Sequence, residues 1–267
     1  MTTAVATSDR SRLLRRYLPA VAIFFGGLAL WEAVVILFDI EGFLLPRPSE
    51  ILTTFVDEAG TVVPAGWFTF REALAGFAVG SAAAIVVSLV TARWTLIREG
   101  LLPFAIAVNA TPIIALAPIF NQWFSVTSIW SKASIVAVIV FFPVMINTTR
   151  GLSEVDPASL ELLRSYAAKP TEVVRKVRIP NALPFMFSAM KVGTTLSVIA
   201  AIVSEYFGGS RKALGVYISQ QAALLHLAEA WAAIVVASAM GIIFYASISL
   251  IERIVMPWHA SIRATTD

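Results

Sequence analysis

The sequence contains no cysteine and only two histidines among its 267 residues. The lack of cysteine excludes disulfide bonds and thiolate metal sites. The scarcity of histidine leaves little material for acid and base chemistry near neutral pH. A G-x-x-x-x-G-K-[ST] nucleotide-binding motif is also missing. We therefore expect no catalytic residues, no metal and no cofactor bound by this chain, and any energy source must come from elsewhere.

Charged residues are scarce as well, at 14% compared with about a quarter in soluble domains. Hydrophobic residues make up 58% of the chain instead, and the mean hydropathy is +0.81. Apolar stretches long enough to cross a bilayer recur at about 17–38, 68–92, 101–124, 129–149, 183–204 and 229–251. The pattern predicts an all-α polytopic membrane protein with about six transmembrane helices.

The distribution of basic residues predicts the orientation. With both termini in the cytoplasm, most of the 20 Lys and Arg residues lie on the inner side, and Arg47, Arg71, Lys132, Arg211 and Lys212 lie outside. This bias explains the net charge of +3 without a nucleic-acid partner. The predicted division is 1–16 as a cytoplasmic segment, 17–38 as a retained first helix, 39–66 as an extracytoplasmic segment, 67–255 as the core and 256–267 as a cytoplasmic tail.

One cytoplasmic loop, residues 150–182, is unusually charged and is called the charged loop below. Asp156 followed by Pro157 predicts a helix start, with Asp as the cap and Pro at the first position. One face of this helix would carry Leu160, Leu163 and Ala167, and the other Glu161, Arg164 and Ser165. We expect Thr171 to cap a second short helix and Pro180 to end it. Two short amphipathic helices of this kind suit either the membrane surface or a groove on another protein.

The charged loop resembles the cytoplasmic signature of permease subunits of ABC importers, E-A-A-x3-G-x9-I-x-L-P. Glu161, Ala167, Val177, Ile179 and Pro180 occupy the Glu, Gly, Ile, Leu and Pro positions. Two departures are that leucines replace both alanines and that Ala167 replaces the turn glycine. Because alanine pays a steric penalty at positive φ, we expect the turn to be made one or two residues later, before Pro170.

Four further stretches resemble the nitrate, sulfonate and taurine branch of these permeases, which includes transporters for riboflavin and thiamine-precursor pyrimidines. They are "LPRPSEI" from Leu45, "TPIIALAPIFNQWF" from Thr111, "FFPVMINTTRGL" from Phe141 and "SEYFGGSRKALG" from Ser204. The resemblance implies a type I ABC importer permease fold in the bacterial inner membrane. It also implies a second permease copy, two ATPase subunits that hold ATP and Mg and dock on the charged loops, and an extracytoplasmic substrate-binding protein.

The coupling role implied for the charged loop falls on Asp156, Leu160, Glu161, Leu163, Arg164, Ala167, Val177, Ile179 and Pro180. For Glu161 the alternative is an ordinary exposed carboxylate, and for Arg164 it is simply the excess of positive charge on the inner side.

The third apolar stretch is expected to be kinked or broken, because Pro112 and Pro118 each remove a helical hydrogen bond. Backbone groups freed in this way need polar partners or water. Candidate pathway or gate residues are therefore Asn109, Thr111, Pro112, Pro118, Asn121, Gln122, Trp123 and, near the end of the fifth span, Glu205. The alternatives are that the amides only repair the helix break and that Glu205 only anchors its helix at the membrane interface.

An amide-rich lining with a tryptophan suits a neutral aromatic heterocycle better than a bare anion, which calls for Arg or Lys. We therefore expect an importer for a heterocyclic vitamin or vitamin precursor. The alternatives are a sulfonate, taurine or nitrate importer and, in a different class, an ion-coupled secondary carrier. The carrier is disfavoured because neither internal repeats nor carboxylates midway through the spans are apparent in the sequence.

Overall fold

The computed structural model describes residues 8–258, and every regular element in that range is helical. The outer parts of the predicted terminal segments, 1–7 and 259–267, lie outside the described residues. The α-helices are α1 Ser8–Leu37, α2 Pro48–Asp57, α3 Ala59–Arg93, α4 Thr95–Asn109, α5 Ala117–Phe124, α6 Ile129–Ser153, α7 Pro157–Ser165, α8 Pro170–Val173, α9 Ile179–Tyr206, α10 Leu214–Ala223 and α11 Leu227–Val255.

Five helices are long and apolar enough to cross a membrane, and a bent pair raises the number to six within the described part of the chain. The five are Leu18–Leu37, Ala59–Arg93, Ile129–Ser153, Pro170–Tyr206 and Leu227–Val255. A span needs about 20 residues because each residue rises only about 1.5 Å along the helix. The predicted all-α fold with about six spans is confirmed.

The sixth candidate is the proline-containing stretch, which is broken as expected. Its halves, Glu99–Asn109 and Ile113–Phe124, meet at an angle of 78°. Pro112 immediately precedes a short 3₁₀ turn, Ile113–Leu116, and Pro118 lies in the first turn of α5. Both prolines sit where a helix begins, because a missing N–H costs least in a first turn.

The centre of the bundle is formed by α3, α6 and α9, which pack along their lengths. Two glycines of α3, one turn apart, allow its backbone to approach α6. A methyl group on Gly76 would collide with Val136 and the carbonyl of Ala133, and one on Gly80 would collide with the carbonyl of Ala137. Small residues at this spacing let membrane helices come close enough for extensive van der Waals contact.

The remaining spans lie around this centre. Helix α11 is joined to α9 by an ion pair of 2.7 Å between Lys191 and Glu252, both largely buried. Helix α1 is mostly exposed and contacts the rest through an edge-to-face pair of Trp31 and Trp231 and through α2, where Glu32 accepts hydrogen bonds from the backbone and hydroxyl of Ser49.

Candidate functional site

Helix α7 of the charged loop begins as the sequence predicts. Asp156 is its N-cap, and its carboxylate accepts hydrogen bonds from the backbone of Ala158 at 3.2 Å and the hydroxyl of Ser159 at 3.3 Å. Pro157 occupies the first turn, where its missing N–H removes no helical bond. The cap stabilises this otherwise short helix by about 1 kcal/mol.

The turn after α7 is made at Ala167, so the expectation that it lies nearer Pro170 is wrong. Ala167 adopts φ +50°, in the left-handed region. Its N–H donates to the carbonyl of Arg164 at 2.9 Å, and the N–H of Ala168 donates to that of Leu163 at 3.0 Å. These two bonds define a Schellman motif. They satisfy carbonyls that would otherwise be unpaired, which offsets the steric cost that alanine pays where glycine would pay none.

The second helix differs from the prediction at both ends. Lys169, rather than Thr171, is its N-cap residue, and the Lys169 N–H donates to the Glu172 carboxylate at 3.0 Å. At the other end Pro180 does not terminate it, because Pro170–Tyr206 is one continuous candidate span. A π-helical turn, Val174–Arg178, ends two residues before the proline. Wider turns of this kind absorb local breaks in the hydrogen-bond ladder while the helix continues.

Two side chains tie the charged loop to the ends of the neighbouring helices. The guanidinium of Arg178 donates to the carbonyl of Ala92 at the end of α3, at 3.3 Å. The amide of Asn181 donates to the carbonyls of Gly151 at 2.8 Å and Glu154 at 3.0 Å, at the end of α6. Because the last carbonyls of a helix lack partners within it, these contacts satisfy both ends. A displacement of the loop therefore acts directly on α3 and α6.

The free surface of the charged loop contains charged and apolar groups. Glu161 and Arg164 are exposed, as are Leu162 at 57% and Tyr166 at 76%. Leu162 and Tyr166 lie one turn apart on the same face. Leu162 replaces an alanine of the signature, and this larger apolar side chain enlarges the surface that a partner could bury. Leu160, Leu163, Val177, Ile179 and Pro180 are partly buried.

A polar cluster lies at the opposite end of the bundle from the charged loop. It consists of Thr69 and Glu72 on α3, Asn121 on α5, Ser131 and Lys132 on α6 and Glu205 on α9, all buried. Lys132 and Glu205 are each 1% exposed and Glu72 is 3% exposed. Lys132, which the charge distribution predicts to lie on the outer side, is buried inside the helix bundle. Within an apolar protein such groups persist only when they are paired.

Glu205 is the best connected member of the polar cluster. Its carboxylate accepts a hydrogen bond from the hydroxyl of Thr69 at 2.7 Å and from the backbone N–H of Gly215 at 2.6 Å. The Thr69 oxygen in turn accepts from the N–H of Leu214 at 2.9 Å. Leu214 and Gly215 are the first residues of α10, so both bonds satisfy N–H groups that a helix start leaves free. A methyl group on Gly215 would collide with Glu205 and with the carbonyl of Ile202, so only glycine allows this approach.

Asn121 and Lys132 form the other half of the polar cluster. The Asn121 amide oxygen accepts hydrogen bonds from the ammonium of Lys132 at 2.7 Å and the hydroxyl of Ser131 at 2.5 Å. Its nitrogen donates to the carbonyl of Phe207 at 3.2 Å, and Lys132 also donates to the carbonyl of Val126 at 2.9 Å. Asn121 thus fixes the second half of the broken span to α6 and to the segment after α9.

The polar cluster brings together only two of the residues predicted to line a pathway, Asn121 and Glu205. Their polar groups are bonded inside the single chain. The other candidates, Asn109, Thr111, Pro112, Pro118, Gln122 and Trp123, are exposed on the chain by itself.

Four members of the polar cluster were missed as candidate site residues: Thr69, Glu72, Ser131 and Lys132. The signal for Glu72 was present, since a lone carboxylate inside an apolar stretch is a functional-site hypothesis by default.

Comparison with known proteins shows a family match and similarity to transport proteins. Residues 76–260 match the family model described as "Binding-protein-dependent transport system inner membrane component". The chain is 29% identical to the formylaminopyrimidine transport permease protein of Halalkalibacterium halodurans over 237 residues, covering 87% of this chain and 92% of that protein. It is 28% identical to the riboflavin transport system permease protein of Chloroflexus aurantiacus over 262 residues, covering 95% and 96%.

A solved structure supports the fold. A chain from the crystal structure of an amino acid ABC transporter with histidines superposes with a TM-score of 0.59 at 17% identity, covering 74% of this chain and 95% of that chain.

Proposed function

Because this chain belongs to the family of binding-protein-dependent transport system inner membrane components, and is thus a transport permease of an ABC importer for a small nutrient, we propose that two copies of it form the import pathway for a heterocyclic vitamin or vitamin precursor. The substrate class is a thiamine-precursor pyrimidine or riboflavin. The observation that carries this proposal is the similarity, over nearly the whole length, to permeases named for a formylaminopyrimidine and for riboflavin.

The exposed residues around the broken span are compatible with such a substrate. Asn109, Gln122 and Trp123 offer hydrogen bonds and an aromatic surface. Lys132, on the neighbouring helix α6, uses its ammonium to bind Asn121 and the carbonyl of Val126. A sulfonate or nitrate would need a cation that is free to bind it. The sulfonate, taurine or nitrate importer remains the second candidate because of the sequence motifs it shares with this chain.

The charged loop is proposed to dock on an ATPase subunit. Glu161 and Arg164 would form polar contacts at the rim, and Leu162 and Tyr166 would be buried at the centre, since aromatic and aliphatic residues dominate interface energies. Arg178 and Asn181 would then pass the movement of the loop to α3 and α6. In this proposal the charged loop and both termini lie on the cytoplasmic side. Each chain has one such loop, so two ATPase subunits require two permease copies.

The test is reconstitution of the complete importer. The tagged chain is purified with its co-purifying subunits, native mass spectrometry gives the stoichiometry, and the complex is placed in liposomes with its binding protein. We expect two permeases with two ATPases, and ATP-dependent uptake of a labelled formylaminopyrimidine or riboflavin but not of taurine or nitrate. Uptake of taurine alone would refute the substrate class. Uptake driven by an ion gradient in the absence of ATPases would refute the importer mechanism.

A further inference from the structure

The polar cluster contains two carboxyl groups and one ammonium group, all buried. The carboxyl groups of Glu72 and Glu205 interact directly with each other, and Lys132 lies close enough to act on both. Two ionised carboxylates in contact would repel each other and leave the cluster with a net negative charge. One proton between them removes the repulsion and balances the remaining carboxylate against Lys132.

The hydrogen bonds favour Glu205 as the ionised carboxyl group. Glu205 receives two donors, the hydroxyl of Thr69 and the N–H of Gly215, and it lies at the N-terminus of α10, where a negative charge is favoured. The Oε2 atom of Glu72, in contrast, is buried without a hydrogen-bond partner among the described residues. A carboxylate anion in that position would be poorly compensated. Glu72 is therefore suited to be the protonated acid that donates to Glu205.

The elements joined at this site show what the arrangement holds in place. Glu205 and Thr69 bind the start of α10, and Asn121 binds the segment after α9 together with Lys132 on α6. Helices α3, α6 and α9 are thus connected at this end by the polar cluster and at the other end by Arg178 and Asn181.

We propose that Glu72, Lys132 and Glu205 form a charge-balanced site in which Glu72 holds a proton toward Glu205, and that this site positions α10 and the second half of the broken span on the α3, α6 and α9 core. The three residues are positioning residues. They transmit movement of the charged loop to the far end of the pathway, which rests on the proposed import function. The local geometry itself does not depend on which substrate is carried.

The test compares Glu72→Gln with Glu205→Gln, two substitutions of the same size and chemistry. The amide introduced by Glu72→Gln can donate to Glu205 as the protonated acid does, whereas the amide introduced by Glu205→Gln turns a donor toward groups that themselves donate. Hydrogen exchange of the Leu214 and Gly215 amides is measured on the purified permease, without substrate or partners. We expect Glu72→Gln to change these rates by less than about two-fold and Glu205→Gln to accelerate them by about ten-fold or more, the effect of losing a buried hydrogen bond to a charged group.

Two further measurements separate positioning from general stability. The amide of Val140, buried in the middle of α6, should exchange at the same rate in all variants, since only a global loss of stability would accelerate it. In the reconstituted importer, Glu205→Gln should lower uptake per ATP hydrolysed, and Glu72→Gln should not. If the wild-type importer takes up none of the tested substrates, that result counts against the proposed function alone, because the exchange measurements do not use a substrate.

Thr69→Val provides a variant that leaves all charges unchanged. It removes the acceptor for the Leu214 N–H, so we expect faster exchange at Leu214 than at Gly215, even if Glu205→Gln fails to fold. The proposal is overturned if Glu72→Gln accelerates exchange as much as Glu205→Gln, which would mean that Glu72 acts as an anion. It is also overturned if neither Glu205→Gln nor Thr69→Val changes the exchange of these amides.

Discussion

Replacing Ala167 with glycine should strengthen the turn of the charged loop. Ala167 adopts φ +50° while its N–H and that of Ala168 close the Schellman motif at the end of α7. The side chain of an L-residue in this conformation crowds the following carbonyl oxygen, at a cost of roughly 1–2 kcal/mol. Glycine has no β-carbon and avoids that cost, so Ala167→Gly relieves the strain without altering a hydrogen bond.

The net effect is smaller than the strain. Glycine has more backbone freedom than alanine in the open loop, and this entropy stabilises the open state by about 0.4–1 kcal/mol. The closed turn should therefore gain about 0.5–1 kcal/mol, which corresponds to about a two- to five-fold decrease in the population of the open loop.

Hydrogen exchange of the Ala168 amide measures this population, since the amide is protected only while it donates to the carbonyl of Leu163. We expect Ala167→Gly to slow the exchange about two- to five-fold after correction for intrinsic rates. Ala158→Gly is the matched control: it places glycine at an exposed position in the first turn of α7, where there is no positive φ to relieve, so it should not slow the exchange. Exchange in Ala167→Gly that is as fast as in the wild type would refute the argument that the turn is strained.

Three further changes test other parts of the molecule. Glu161→Lys should reduce recovery of the ATPase on the tagged permease about ten-fold. Membrane insertion should be unchanged because the apolar spans decide it. Equal recovery of the ATPase in pull-downs with the variant and the wild type would contradict docking at this face. Asn181→Ala should lower the free energy of unfolding by about 1–3 kcal/mol, since two helix-end carbonyls lose their donor, and a thermal melt of purified protein that matches the wild type would contradict it. Gly80→Val should prevent stable folding because the new side chain meets the Ala137 backbone, and size-exclusion chromatography would show this as aggregation. Gly241→Val is the control: a carbon added there meets no described neighbour within 4 Å, so this variant should elute normally.

Features that depend on local chemistry were predictable from the sequence. The spans follow from apolar runs of sufficient length, and the break in the third span follows from prolines that cannot donate a hydrogen bond. The cap at Asp156 follows from an acidic side chain placed immediately before a proline. Each of these properties is decided within a few residues or one helix.

The charged loop shows where local chemistry was insufficient. A glycine preference at positive φ suggested that Ala167 would avoid the turn, but the two hydrogen bonds of the Schellman motif outweigh the strain. Pro180 was expected to end a helix, but its position next to the contacts of Arg178 and Asn181 with α3 and α6 keeps the chain helical into α9. In both cases the preference was correct in sign and was overcome by other contacts.

Composition alone determined that this is an apolar protein with several spans. With 58% hydrophobic and only 14% charged residues, the chain departs clearly from the composition of soluble domains, in which about a quarter of the residues are charged. The polar cluster was decided only by the tertiary structure. Thr69 and Glu205 are separated by 136 positions in the chain and yet are joined by a hydrogen bond, and no periodicity or spacing indicates that Glu72 and Lys132 face the same point. Helix packing brings these side chains together, and the high cost of burying an unpaired charge then determines that they must pair with one another.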